Sequence, residues 1–142
     1  MSASAIADGI ITNLSAASVF GTGRVSKTSY QILESSACQA AMVHWTRLRS
    51  TPSAFGNPRD RERTWNFNIE CFLRDTGDPI QLKTRIWSLT DTVIASLESD
   101  DTLQGTCDSL SEIAGTHDPK SGLDVGGARW LTMDFNVEVT EL

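Results

Sequence analysis

The sequence predicts a two-layer α+β fold, a mainly antiparallel sheet of four to five strands packed against two helices. Residues 64–73 alternate, with Trp65, Phe67, Ile69, Cys71 and Leu73 on one side and Thr64, Asn66, Asn68 and Glu70 on the other. Near the end, Leu131, Met133, Phe135, Val137 and Val139 alternate with Thr132, Asp134, Asn136, Glu138 and Thr140. Between these strands, Asp78-Pro79 opens a long amphipathic helix. The 142 residues read as one domain, 1–142, which buries roughly two-thirds of its unfolded surface without needing disulfides or metal.

Residues 3–15 predict a short helix, with Ile6, Ala7, Ile10, Ile11 and Leu14 on one stripe and Ser2 or Ser4 as its cap. Gly21 and Gly23 break the chain, and 24–33 predict a first strand around Val25, Tyr30, Ile32 and Leu33. Residues 39–49 predict a second strand with apolar bulk on both faces. A loop with Pro52, Gly56 and Pro58 follows, too long for a tight hairpin. The strand at 64–73 returns antiparallel, and only Phe72 breaks its alternation. In the helix after Asp78-Pro79, Leu82, Ile86, Leu89, Val93 and Leu97 form one stripe, widened by Trp87 and Ile94. Glu98, Asp100 and Asp101 then oppose the negative end of the helix dipole. Residues 103–114 predict a strand around Leu103, Cys107, Leu110 and Ile113, 115–127 a loop, and 131–140 the last strand.

The net charge of -6 excludes DNA binding through the bulk field. Cys38, Cys71 and Cys107 are far apart and form no C-x-x-C, which fits reduced, buried thiols. The opening MSASAIADGIITNL has no basic region and resembles neither a signal peptide nor a membrane span.

No residue pattern points to catalysis or to a cofactor. His44 and His117 belong to no metal motif. A Cys71–His44 pair across neighbouring strands is the one conceivable thiol dyad, but the two strand faces are not expected to align. Gly21-Thr22-Gly23 starts like a dinucleotide fingerprint, then has Ser26 where the third glycine belongs. Glu98, Asp100 and Asp101 match no calcium loop and read more plainly as a solvated helix end. Trp45 and Trp130 are weighed as a stacking platform for bases, with core or interface packing the plainer reading.

By elimination, the loop at 50–63 carries the functional signal. It ends in Arg59, Asp60, Arg61, Glu62 and Arg63, a charged run held on a strand. Such a loop suits binding or assembly.

The order of elements resembles that of the tail terminator proteins of long-tailed bacteriophages, of the lambda tail terminator type, and related tail-completion proteins. The resemblance lies in the opening helix IADGIITNL, the hairpin HWTRLRSTPSAFGNPRDRERTWNFNIECFLR, the Asp78-Pro79 helix with WSLTDTVIASLESDD, and the final strand WLTMDFNVEVTEL. It covers almost the whole chain and is one of pattern, since the family has no short catalytic signature.

The resemblance implies a structural virion protein that is not an enzyme and holds no cofactor. It implies self-association into a ring, a hexamer, at the head-proximal end of the tail tube. There the ring ends polymerisation of the major tail tube protein and meets a head–tail connector protein. DNA passes through the channel without specific binding, and no membrane is involved. The protein would be assembled in the host cytoplasm and end in the virion tail. On this reading Arg59, Asp60, Arg61, Glu62 and Arg63 contact a subunit or the tube, and pairing them with Glu98, Asp100 and Asp101 of a neighbour is an inference from charge. Another connector component, an adaptor or head-closure protein, is the nearest alternative. A small single-stranded nucleic-acid-binding protein is the next.

Overall fold

The computed structural model describes residues 2–16, 20, 25–27, 39–52, 61–75, 77–117, 123–125 and 128–141. Helix α1 (Ala3–Ser15) starts where Ser2 accepts a hydrogen bond from the Ala5 amide at 3.1 Å. Its buried stripe is Ile6, Ala7, Ile10 and Leu14. Strand β1 (Val25–Ser26) is short and runs parallel to β2 (Gln39–Pro52). Most of the strand expected at 24–33 lies outside the described residues.

β2 pairs antiparallel with β3 (Arg61–Arg74), from Gln39 opposite Leu73 to Pro52 opposite Arg61. Both strands exceed the expected 39–49 and 64–73. The ladder absorbs Thr51, Pro52 and the charged Arg61, Glu62 and Arg63, all read from sequence as loop. Pro52 is tolerated because it ends a strand that has no described partner on its outer edge there. A bulge between Trp45 and Arg47 moves the later residues of β2 to the opposite faces.

Helix α2 (Pro79–Glu98) begins as expected, with Asp78 accepting from the Ile80 and Gln81 amides at 3.1 and 3.2 Å. Leu89, Val93 and Leu97 are buried, while Leu82, Ile86 and Ile94 pack partly against the core. Trp87 is a correction: it does not widen the stripe but is 68% exposed. At 100° per residue it lies roughly 120° round from the buried line.

β4 (Ser109–His117), β5 (Leu123–Val125) and β6 (Ala128–Glu141) complete the sheet. The strand expected at 103–114 is displaced. Leu103 and Gln104 have φ of 48° and 63°, a left-handed turn that carries Leu103 and Cys107 into the core without strand geometry. Part of the loop expected at 115–127 is strand instead, because β4 continues to His117 and β5 pairs with β6.

The strand order is β1-β2-β3-β6-β4, with β5 on β4's side of β6. Every pairing except β1 with β2 is antiparallel. One cluster joins the α1 and α2 stripes to Val43, Phe67, Ile69, Cys71, Met133, Phe135 and Val137. Both helices therefore cover the same, inner face of the sheet, as the α+β reading requires. Phe72, the residue that broke the alternation, is buried on the outer face, in register with Ala40 and Thr132.

Ile69 sits at the centre of this core and is 0% exposed. Its burial stabilises the fold by about 1.5–3 kcal/mol, and a carboxylate there would be desolvated without a partner. Ile69→Asp is expected to abolish the cooperative thermal transition. A soluble variant that still melts cooperatively near the wild-type temperature would contradict this.

Candidate functional site

Those of the expected contact residues that are described fall at one end of the sheet. Arg59 and Asp60 lie outside the described residues. Arg61, Glu62 and Arg63 form the start of β3, opposite Pro52, Thr51 and Ser50. Arg61 folds back along its own hairpin, donating from Nε to Ser50 Oγ at 2.9 Å and from a terminal nitrogen to the Ser50 carbonyl at 3.0 Å. It braces the arm. Thr46 donates its hydroxyl to the Asn66 carbonyl at 3.2 Å, beside the bulge.

The acidic end of α2 lies at the same end of the sheet, since the chain that follows it reaches Asp108, whose amide donates to Thr140, in register with Thr64 beside Arg63. Asp100 is not a free acid awaiting a partner. It accepts from Asn13 Nδ2 at 3.2 Å, the Gln104 amide at 2.8 Å, and the Thr102 amide and hydroxyl at 3.3 and 3.1 Å. Gln104 donates in turn to Asn13 Oδ1 at 2.7 Å. The Gln104 amide, and then Asn13, hold the Asp100 carboxyl below its usual range. This network ties α1 to the left-handed turn that seats Leu103. Gly9 completes the contact, because a Cβ there would collide with the Leu103 carbonyl oxygen. Glu98 and Asp101 remain exposed.

The outer face of the sheet carries a charge pattern that sequence reasoning missed. Glu70 stands opposite Asp134, and Glu138 opposite Glu112. Burial first, and then Asp134, raises the Glu70 carboxyl above its usual range, with His44 pulling it down. Across the sheet, Arg47 and Arg49 share this face with Asn66 and Thr64, their register partners. The outward acids could be read from the alternation, but their pairing depends on register.

The weighed chemistries also find their places. Cys71 and His44 lie on opposite faces, Cys71 among the inner core and His44 in register with Asn68. Burial pushes the Cys71 thiol far up, so it has little thiolate character. Trp45 and Trp130 form no platform. Trp45 is on the inner face, 57% exposed and edge-on to Trp65 at 6.1 Å, while Trp130 is buried on the outer face opposite Arg74. Among the described residues no group of His, Cys, Asp or Glu could hold a metal ion. No helix described is long and apolar enough to cross a membrane.

Among the described residues two apolar patches are exposed. One is Trp45 with Leu48 on β2; the other is Ile80 with Trp87 on α2, lining an open groove of about 500 Å³ with Pro79, Lys83 and Thr84. Compared with protein-family models and with curated proteins, the chain matches none.

The Asp100 network has a pH signature. A carboxyl whose pKa is lower in the folded state adds stability above its unfolded value, near pH 4, and loses it as pH falls through the folded value. Asp100→Asn is expected to melt below wild type at pH 7, with the gap narrowing as the pH falls below about 4. Thermal melts at both pH values test this; a gap that does not change with pH would contradict it.

Proposed function

We propose that this protein is a tail terminator of a long-tailed bacteriophage, whose copies form a ring at the head-proximal end of the tail tube. The observation that carries this reading is the β2–β3 arm. Every residue of β2 from Trp45 to Pro52 is exposed, Trp45 and Leu48 among them. Beyond Met42 no described strand covers its outer edge. An uncovered strand edge with a tryptophan and a leucine on it is a liability for a monomer and a resource for an assembly. The resemblance in element order gives that assembly its identity.

The net charge of -6 supports the same reading, because an acidic lining lets DNA pass without holding it. The partners are other copies of the chain, six in a ring by the resemblance, the major tail tube protein below and a head–tail connector protein above. The protein is assembled in the host cytoplasm and ends in the virion tail, at the junction with the head. It performs no chemistry. An adaptor or head-closure protein would use similar surfaces at the same junction, so control of tube length is what separates the readings.

Negative-stain images of tails grown with and without the protein provide the test. Tails of unregulated length are expected in its absence, and a single length on its return. Tails of normal length without it would contradict termination. Tails of normal length that fail to join heads would assign it to the connector instead.

A further inference from the structure

We infer that copies of this protein join head to tail by strand addition, the open edge of β2 in one copy pairing with the open edge of β4 in the next. The occupant of each edge is a second copy of the chain, and the inference rests on the self-association proposed above.

Both edges are open among the described residues. β1 covers β2 only at Ala41 and Met42, which leaves Val43 to Pro52 with β3 as sole partner strand. β4 pairs with β6 along one side and has no described strand on the other. The directions agree. β2, β3, β6 and β4 alternate in direction, so β4 runs opposite to β2. A copy placed alongside in the same orientation brings its β2 antiparallel to β4, and the inner and outer faces continue from one copy into the next.

The register then matches side chain to side chain. Three rows cross the sheet: Leu48–Trp65–Val139–Leu110, Trp45–Phe67–Val137–Ile113 and Arg47–Asn66–Glu138–Glu112. With copies at the same height, each row continues into its own start. Leu48 of the next copy meets Leu110, and Trp45 meets Ile113, both on the inner face. Arg47 meets Glu112 on the outer face, because each strand carries a bulge there and the extra residues, Thr46 and Ser111, drop out of the pairing. Within one copy Glu112 faces Glu138, a like-charge pair that costs stability. An arginine beyond it extends the row with the opposite sign.

The same charges select the pairing. Two β2 edges together would set Arg47 and Arg49 against each other, and two β4 edges would set Glu112 against Glu112. Only the unlike pairing is attractive. An unlike, head-to-tail contact is the kind that closes into a ring.

The test uses Arg47→Glu, Glu112→Arg and the double variant, both positions being exposed and outside the buried core. Circular dichroism melts check that each variant folds, and native mass spectrometry with light scattering reads association. Each single variant should associate roughly tenfold or more weakly, and the double variant should recover the wild-type assembly. Single variants that associate like wild type, or a double variant no better than the singles, overturn the edge pairing and leave the ring reading standing. A wild type that stays monomeric at its highest soluble concentration also overturns the pairing, and the ring reading falls with it if no ring forms on tube ends. Association that follows the charge swap while tail length ignores the protein keeps the pairing and removes the terminator.

Discussion

Everything in this fold depends on one-sided burial of a sheet. Both helices lie on the inner face, where Phe67, Ile69, Phe135 and Val137 are at most 1% exposed. The sheet's twofold periodicity then dictates the rest. Each residue that seals the core places its chain neighbours on the far side. Polar and charged residues occupy most of that side, with Ala40, Phe72 and Trp130 as buried apolar exceptions at one end. A sheet whose described helices cover one face, and whose edge strands are open among the described residues, is stable only if its surface tolerates water or meets another chain.

The second constraint is how α1 reaches the turn after α2. Gly9 removes the side chain that would strike the Leu103 carbonyl, and Asp100 holds the turn's amides in place. Leu103 thereby enters the core from a left-handed backbone, a conformation leucine seldom adopts. An acid that looked like an exposed contact thus serves the fold. Its neighbours Glu98 and Asp101 stay at the surface.

Much of the fold was legible because local patterns decided it. The alternation of β3 and β6, the Ser2 and Asp78 caps, and the stripes of both helices all appear in short stretches of chain. What misled was apolar content without its geometry. Leu103 and Cys107 looked like strand residues because they are buried, yet a turn buries them. Trp87 looked like core because it is large, although its angle on the helix points it away. The charged run at Arg61 looked like loop because nothing local shows that the ladder continues to Pro52. The candidate site was harder still. Arg47, Glu138 and Glu112 are scattered through the chain and become one row only through the pairing of four strands. Asn13 and Gln104 likewise meet only because α1 packs against the turn.

In the proposed assembly the exposed ends of β2 and β4 are halves of one contact. Amide hydrogen exchange, followed residue by residue as protein concentration rises, tests that claim most directly. β3 and β6 should be protected at every concentration, since each has a strand on both sides. Alternate amides of β2 beyond Met42 and of β4 should exchange quickly in the monomer and become protected together on assembly. Protection that appears on assembly around Ile80 and Trp87 while both sheet edges stay open would contradict it.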